Sequence, residues 1–595
     1  MTSLIAFIIL IGVLITVHEL GHFIVAKLCG VRVHTFSVGF GQPIFSKTIG
    51  ETEYRIAWLP LGGYVRLHGM LAEFGEVSDD STASDDSENM NLSDDPDAER
   101  GVYRKPPWMR ALIFIAGPAM NLLLPFVLLP PFFYYATDFS SVLSSLTAAV
   151  DQGLPAYKAG VRSGDRIVEI NGKPIYAFWQ VAQVIDGYEP GTAPLNIKLE
   201  RPGVSESLNL EVTPEQLTET LRFLGFKETH NRIGFQPYAL AADLISIKED
   251  SLFSRAGGQR FDRIVAMNGD PLHRFYELAP RILASPIDRP ISLTVERGRP
   301  LELGIPYLQE RYQKNITLPA PKEWLAALMN QDANLSDVSR PERVLELLGV
   351  MQASPCISSV KPDSPAASQL KVGDCILSVD GQAHSLPAFL SQRLYHEPEQ
   401  SKQLVVLRAG QSIQLNYNLR AVTHNDPMAG EIKDYVQDFT FLGSIRTDAF
   451  LKGDVVKNYE RWAFAWSRTK DKVFTELKRS LMTLGGMFTG AVSPTQLSGP
   501  VTIFYVAGKQ AEAGFSSFLG LMVILSLSLG LINLVPIPGL DGGHILIAGL
   551  EMIIRRPLPS KVRQGLQLIG VFCILALVLF ALGNDIMRMW RLSQG

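Results

Sequence analysis

Four stretches of this chain are apolar and free of Asp, Glu, Lys and Arg for long enough to matter. Met1 to Val17 continues past a polar cluster to Ala26, and Ala111 to Ala136, Ala513 to Leu540 and Gln564 to Asn584 follow. Crossing a hydrocarbon core takes about 20 apolar residues, so the pattern predicts four transmembrane helices, placed at 1–28, 108–136, 513–546 and 564–584. The first has no basic n-region and no small-residue cleavage site, which makes it a span and not a signal peptide. The expected class is a multi-span α-helical membrane protein.

Between the spans the period changes. "VRVHTFSVGFGQPIFSKTIG" (31–50) and "TEYRIAWLPLGGYVRL" (52–67) read as strands with glycine turns, giving a β-region over 29–70 that is expected to associate with the membrane. Residues 71–99 hold eleven Asp or Glu and no Lys or Arg, so 71–107 is expected to be an acidic cytoplasmic insert, a solvated linker. Further on, "AGVRSGDRIVEINGKPI" (159–175), "AGGQRFDRIVAMNGDPL" (256–272) and "SQLKVGDCILSVDGQAH" (368–384) align without gaps and bring Asp165, Asp262 and Asp374 into register. Each predicts a turn, a short strand and an Asn-Gly or Asp-Gly hairpin turn, so three tandem α+β domains are expected at 145–238, 239–310 and 345–446. The pattern resembles PDZ domains of bacterial membrane proteases, which take a peptide as an added strand; plain β-rich spacers are the other reading. The middle copy departs from it, with Phe261 where the others have Gly164 and Gly373. Residues 456–490 predict an amphipathic helix bearing Trp462, Trp466, Phe474 and Leu477, either on the membrane surface or packed into the core.

Charge adds a direction. A net charge of -4 and a pI near 6.2 give no support for nucleic-acid binding. Nine Lys or Arg lie between the first two apolar runs, from Lys27 to Arg110, and four between the last two, whereas the N-terminal tail has none and the C-terminal tail only Arg588 and Arg591. The positive-inside rule puts both short loops in the cytoplasm and the 140–505 region outside. Cys356 and Cys375 fall on that oxidising side, but spacing does not decide whether they pair.

The candidate chemistry sits in the first span. "HELGH" places His18 and His22 one helical turn apart on one face with Glu19 between them. In the HExxH pattern both imidazoles bind Zn²⁺ and the glutamate acts as general base. Chance gives the pattern about once in a hundred such chains, but ionisable groups within a span are costly unless paired or ligated. A catalytic zinc needs a third protein ligand and an open position. The best candidate is in "NLVPIPGLDGGHIL" (533–546), where Pro536 and Pro538 interrupt the third span and Asp541 is the first charge after a long apolar run.

"HELGH", "GPAMN" (117–121), "LSGPVTIF" (497–504) and "NLVPIPGLDGGH" (533–544), in this order around PDZ-like domains, resemble the bacterial site-2 proteases. The acidic insert and a third repeat fall outside the resemblance. It implies one catalytic Zn²⁺ on His18, His22 and Asp541, with Glu19 as base, and a substrate-positioning role for Asn533, Pro536 and Pro538. His544 and Asn121 are candidates for supporting the ligands. It also implies a bacterial inner-membrane endopeptidase with periplasmic PDZ domains, acting after an upstream site-1 protease. Its substrates would be single-span membrane proteins such as anti-sigma factors or remnant signal peptides. A membrane scaffold or chaperone holding peptides on its PDZ domains, without protease activity, is the alternative; it has no use for Glu19.

Overall fold

The computed structural model describes residues 2–70 and 98–594 apart from 137–138, 203, 205, 221–226, 238–244, 249, 299–310, 326–339, 353–354, 409, 427–429, 443–454 and 490–498. The acidic stretch 71–97 and Leu497 and Ser498 therefore lie outside the described residues.

Helices form where the apolar runs predict them. Helix α1 (Thr2–Leu28) and α2 (Pro107–Tyr135) are followed, beyond the repeats, by α3 (Arg461–Thr489), α4 (Pro500–Glu512), α5 (Phe515–Leu534), α6 (Asp541–Ile554) and α7 (Ser560–Gln594). Of these, α1, α2, α5 and the 562–587 portion of α7 are long and apolar enough to cross a membrane. The stretch expected as one third span is two helices, α5 and α6, separated by a turn over residues 535–540 in which Pro536 and Pro538 lack the N–H that would carry on the α5 ladder. Helix α2 is the hub and packs against α1, α3, α5 and α6, while α4 bridges α1 and α7. Leu10, Leu14, Leu124, Ala507 and Met522 form one apolar core of the bundle, and Leu129, Val473, Leu519, Val523 and Leu527 another. On α7 the outward residues Leu568, Phe572 and Leu579 are exposed, the pattern of a lipid-facing surface.

Strands β1 (Val33–Ile49) and β2 (Thr52–Leu67) fold on themselves. Ser37 faces Tyr64 on one side and Arg55 on the other, and Phe45 faces Ile56, so two bent strands supply four segments in the order 43–49, 52–57, 33–38 and 63–67. The inner half of β1 alternates buried and half-buried, whereas Phe40, Ile44, Phe45, Trp58 and Leu59 at the outer end are exposed.

The three repeats are three α+β units with one wiring. Asp165–Ile170, Leu195–Glu200 and Leu208–Val212 pair in sequence in the first, and Arg263–Met267, Ile291–Gly298 and Arg311–Leu318 in the second. Cys375–Val379, Lys402–Arg408 and Gln411–Tyr417 do the same in the third. Each unit has its own core and a covering helix, Phe178–Asp186, Leu278–Leu283 and Pro387–Tyr395 respectively, to which the second unit adds Arg340–Leu348. Both residues of Asn171-Gly172, Asn268-Gly269 and Asp380-Gly381 have positive φ, as a two-residue type I′ hairpin turn requires.

The aligned aspartates explain why the repeat exists. Asp165, Asp262 and Asp374 are buried, and each receives a forked hydrogen bond from an arginine, Arg201, Arg297 and Arg408, at 2.6–2.9 Å. Each also accepts the backbone N–H three residues before it, from Arg162, Gln259 and Lys371. In the middle copy Phe261 adopts the left-handed φ of +65° in place of Gly164 and Gly373 elsewhere, and its ring packs on the Cys356, Cys375 and Leu442 cluster of the third unit. Cys356 and Cys375 form a disulfide. Buried Asp151 of the first unit meets His384 of the third at 2.7 Å and accepts the Ser385 and Leu386 amides. The three units together line a cleft of about 850 Å³ that is open to the surface.

One expected helix boundary moves. Residues 456 and 457 belong to a strand, Val455–Lys457, paired with Ser141–Leu143, because its two valines favour the extended form. Helix α3 then begins at Arg461 and combines the two readings open for it: Phe464 and Val473 are buried, while Trp462, Trp466, Phe474 and Leu481 are exposed.

Candidate metal centre

The site is assembled from the two ends of the chain. His18 and His22 lie one turn apart on the buried face of α1, and Asp541 begins α6. The chain gets there through a compressed turn after α5, in which Ile537 N–H donates to Val535 O at 2.7 Å and Leu540 N–H to Ile537 O at 3.1 Å. A side chain at Gly542 would collide with the Leu534 and Val535 carbonyls, so the LDGG sequence is what lets α6 start so close to the end of α5.

His18 Nε2 is 3.1 Å from Asp541 Oδ2, His22 Nε2 is 3.4 Å from Asp541 Oδ1, and the two Nε2 atoms are 3.2 Å apart. One ligand atom from each of the three lies within 4.8 Å of the others. Both histidines are buried, with exposures of 7% and 8%. Two imidazole nitrogens and a carboxylate converging in an apolar bundle fit zinc, three protein ligands leaving one position open.

The far side of each imidazole is also held. His22 Nδ1 is 2.8 Å from the Ile113 carbonyl, which fixes the tautomer with Nε2 free to ligate. His18 Nδ1 is 3.2 Å from the amide nitrogen of Asn121, while the buried Asn121 Oδ1 has no hydrogen-bond partner among the described residues. Turning that amide by 180°, an equivalent placement of its atoms, lets Oδ1 accept Nδ1–H and directs the His18 Nε2 lone pair into the cluster. Asn121 is itself fixed, because its carbonyl accepts the Ser526 hydroxyl at 2.7 Å.

Helix α2 supplies this support from one face. Residues 110, 113, 114, 117 and 121 fall on a single helical stripe. Ile113 and Asn121 hold the imidazoles, Phe114 stacks on His544 with ring centroids 4.4 Å apart, and Gly117 lies so close to His22 that a Cβ there would strike the ring.

Glu19 is half-buried, interacts electrostatically with His18, His22 and Asp541, and takes a backbone hydrogen bond at Val65 of β2. Gly63 of the same strand lies against it, where an added Cβ would stand 3.6 Å from Glu19 Cγ. The β-region is thereby placed beside the cluster.

Of the residues singled out from the sequence, His18, Glu19, His22, Asp541 and Asn121 come together here. His544 is adjacent through Phe114. Asn533, in the last turn of α5, and Pro536 and Pro538 in the connection shape the turn that delivers Asp541. The sequence pattern marks Asn121 only weakly and Gly117 only as a packing residue of the GPAMN signature, and gives no sign of Ile113 or Phe114. Sequence reasoning also missed Glu551, a lone acid in the apolar run of α6, although its position in such a run is a signal.

Comparisons with known proteins agree with the geometry. The model of Peptidase family M50 matches residues 6–577. A protein of Chlamydia pneumoniae named as a zinc metalloprotease is 26% identical over 97% of this chain and 98% of its own. One so named from Neisseria meningitidis is 26% identical over 99% and 100%, and the regulator of sigma-E protease RseP of Salmonella typhimurium is 26% identical over 99% of each. The chain therefore belongs to peptidase family M50, the site-2 protease family that its sequence motifs resemble.

Proposed function

We propose that this protein is an intramembrane zinc metalloendopeptidase that cuts peptide bonds within transmembrane segments of single-span membrane proteins. The observation that carries the proposal is the meeting of His18, His22 and Asp541 inside an apolar helix bundle, with Glu19 beside them.

In this reading His18, His22 and Asp541 hold the ion. Bound zinc supplies Lewis acidity to the scissile carbonyl and to the attacking water. Glu19 accepts the proton of that water and returns it to the nitrogen of the leaving amine, as a general base and then acid. Asn121 and Ile113 keep the two imidazoles in the ligating tautomer, and the Asn533 to Pro538 turn positions substrate beside them.

A helical substrate hides its amides, so it must unwind before cleavage. The 63–67 segment of β2 offers an edge for this, because its strand partner among the described residues is 33–38 alone and it lies against Glu19. An extended substrate added there would have its backbone hydrogen-bonded next to the base. The exposed Phe40, Ile44, Phe45, Trp58 and Leu59 support immersion of the other end of the hairpin in lipid.

The excess of Lys and Arg in the short loops supports cytoplasmic placement of those loops and periplasmic placement of the repeats in a bacterial inner membrane, and the Cys356–Cys375 disulfide fits that compartment. We assign the repeats as PDZ-like domains that exclude substrates with bulky outer domains. An upstream site-1 protease would trim these first; anti-sigma factors and remnant signal peptides are the expected classes.

The test is cleavage of a single-span test substrate by the detergent-solubilised full chain, with products mapped by mass spectrometry. Cleavage inside the span that stops on chelation and returns with zinc is expected. Cleavage insensitive to chelation, or confined to the flanks of the span, would overturn the reading.

A further inference from the structure

Ten residues beyond Asp541 on α6, about 15 Å along the helix, Glu551 is buried at 2% exposure within an apolar run of sequence. Its carboxylate is paired with the equally buried Arg110 in the first turn of α2. It also accepts the Leu558 amide at 2.8 Å and lies 3.8 Å from Arg563 of α7. The ring of Tyr103 sits beneath both guanidiniums, 4.6 Å from Arg563 and 6.0 Å from Arg110. One carboxylate thus ties α6 to α2, to the start of α7 and to the turn between α6 and α7.

Holding helices together needs no buried charge, since well-packed apolar residues do this equally well. What a desolvated, hydrogen-bonded ion pair adds is a fixed axial and rotational setting, because it is satisfied in only one register. The relevant reference is α2. Arg110 lies on the stripe that carries Ile113, Gly117 and Asn121, the residues against which both imidazoles are set. Fixing α6 to Arg110 therefore measures Asp541 from the same helix that measures His18 and His22. The turn over Pro536 and Pro538 interrupts the helical ladder between α5 and α6 and fixes where α6 begins; Glu551 gives α6 a second fixed point further along, measured from α2.

We propose that Glu551, through Arg110, is a positioning residue that sets Asp541 at ligating distance from His18 and His22. This rests on the assignment of Asp541 as a zinc ligand and adds to it a residue remote from the ion.

The experiment is a double-mutant cycle on zinc affinity, measured by competition with a chromogenic chelator on the full chain in detergent. It uses wild type, Glu551→Gln, Asp541→Asn and the double variant, with thermal unfolding recorded for each. We expect Glu551→Gln to weaken zinc binding about tenfold or more while the protein still unfolds cooperatively, and to add less than about twofold in the Asp541→Asn background, because its effect passes through Asp541. A purely structural role predicts unchanged affinity of the folded variant, or losses that multiply independently, and either result overturns the inference. Should Glu551→Gln fail to fold, Arg110→Lys keeps the charge and removes the planar guanidinium; a smaller loss in the same direction is expected, and unchanged affinity overturns the inference. Unchanged affinity of Asp541→Asn alone would instead remove the ligand assignment, and the inference with it.

Discussion

His22 reaches the ligand cluster because α2 carries no side chain at residue 117, and the Ile113 carbonyl one turn earlier then holds its other nitrogen. Gly117→Ala places a methyl against the imidazole in a bundle with little room to yield. Zinc affinity should fall by about tenfold or more with cooperative unfolding retained, as read by chelator competition and a thermal melt. At this scale the candidate ligands were legible, and of their supports Asn121 was marked through the GPAMN signature whereas Ile113 was not. HExxH announces itself through spacing, and Asp541 through being the first charge after an apolar run with two prolines. The hydrogen bond between Asn121 and His18 spans 103 residues, and a backbone carbonyl such as that of Ile113 leaves no mark in a sequence.

Among the elements, the charge-free runs and the Asn-Gly and Asp-Gly turns translated directly into helices and hairpins, because hydropathy and positive φ are local requirements. The strand at Val455–Lys457 was hidden, since its partner at Ser141–Leu143 lies more than 300 residues away. The aligned aspartates were visible, but their arginine partners lie 34–36 residues downstream, on or just beyond the neighbouring strand of each sheet. Those pairs differ in a way that can be measured. The Arg297 and Asp262 side chains are 7% and 0% exposed, so Arg297→Ala strands a buried carboxylate and should destabilise the second unit by about 3–5 kcal/mol. The Arg408 side chain is 26% exposed beside an equally buried Asp374, so water partly replaces it and Arg408→Ala should cost less. Denaturant unfolding of the two full-length variants, followed by a probe in the repeat region, checks the order; equal losses would contradict it.

For the whole molecule, the four candidate spans were foreshadowed by the charge-free apolar runs, the family by four motifs in order along the chain, and the joining of the two chain ends at one site by those at residues 18–22 and 533–544. The arrangement of the repeats was not. Nothing in the local pattern indicates that Asp151 of the first unit meets His384 of the third, or that Phe261 of the middle unit covers the disulfide of the third. If the joined repeats act as a size gate, removing residues 145–446 should let the protease cut a substrate whose outer domain is untrimmed, while cleavage of a short substrate continues. Unchanged discrimination in a gel-based competition between the two substrates would contradict the gate.

The claim on which all of this depends is that Glu19 activates water on a zinc ion held by His18, His22 and Asp541. Its most direct test is single-turnover cleavage of a single-span substrate by wild type and Glu19→Gln, with zinc content determined on the same samples. The account predicts one zinc per chain in both proteins and a loss of cleavage of at least about a hundredfold in the variant. Cleavage at the wild-type rate by zinc-loaded Glu19→Gln protein would contradict it.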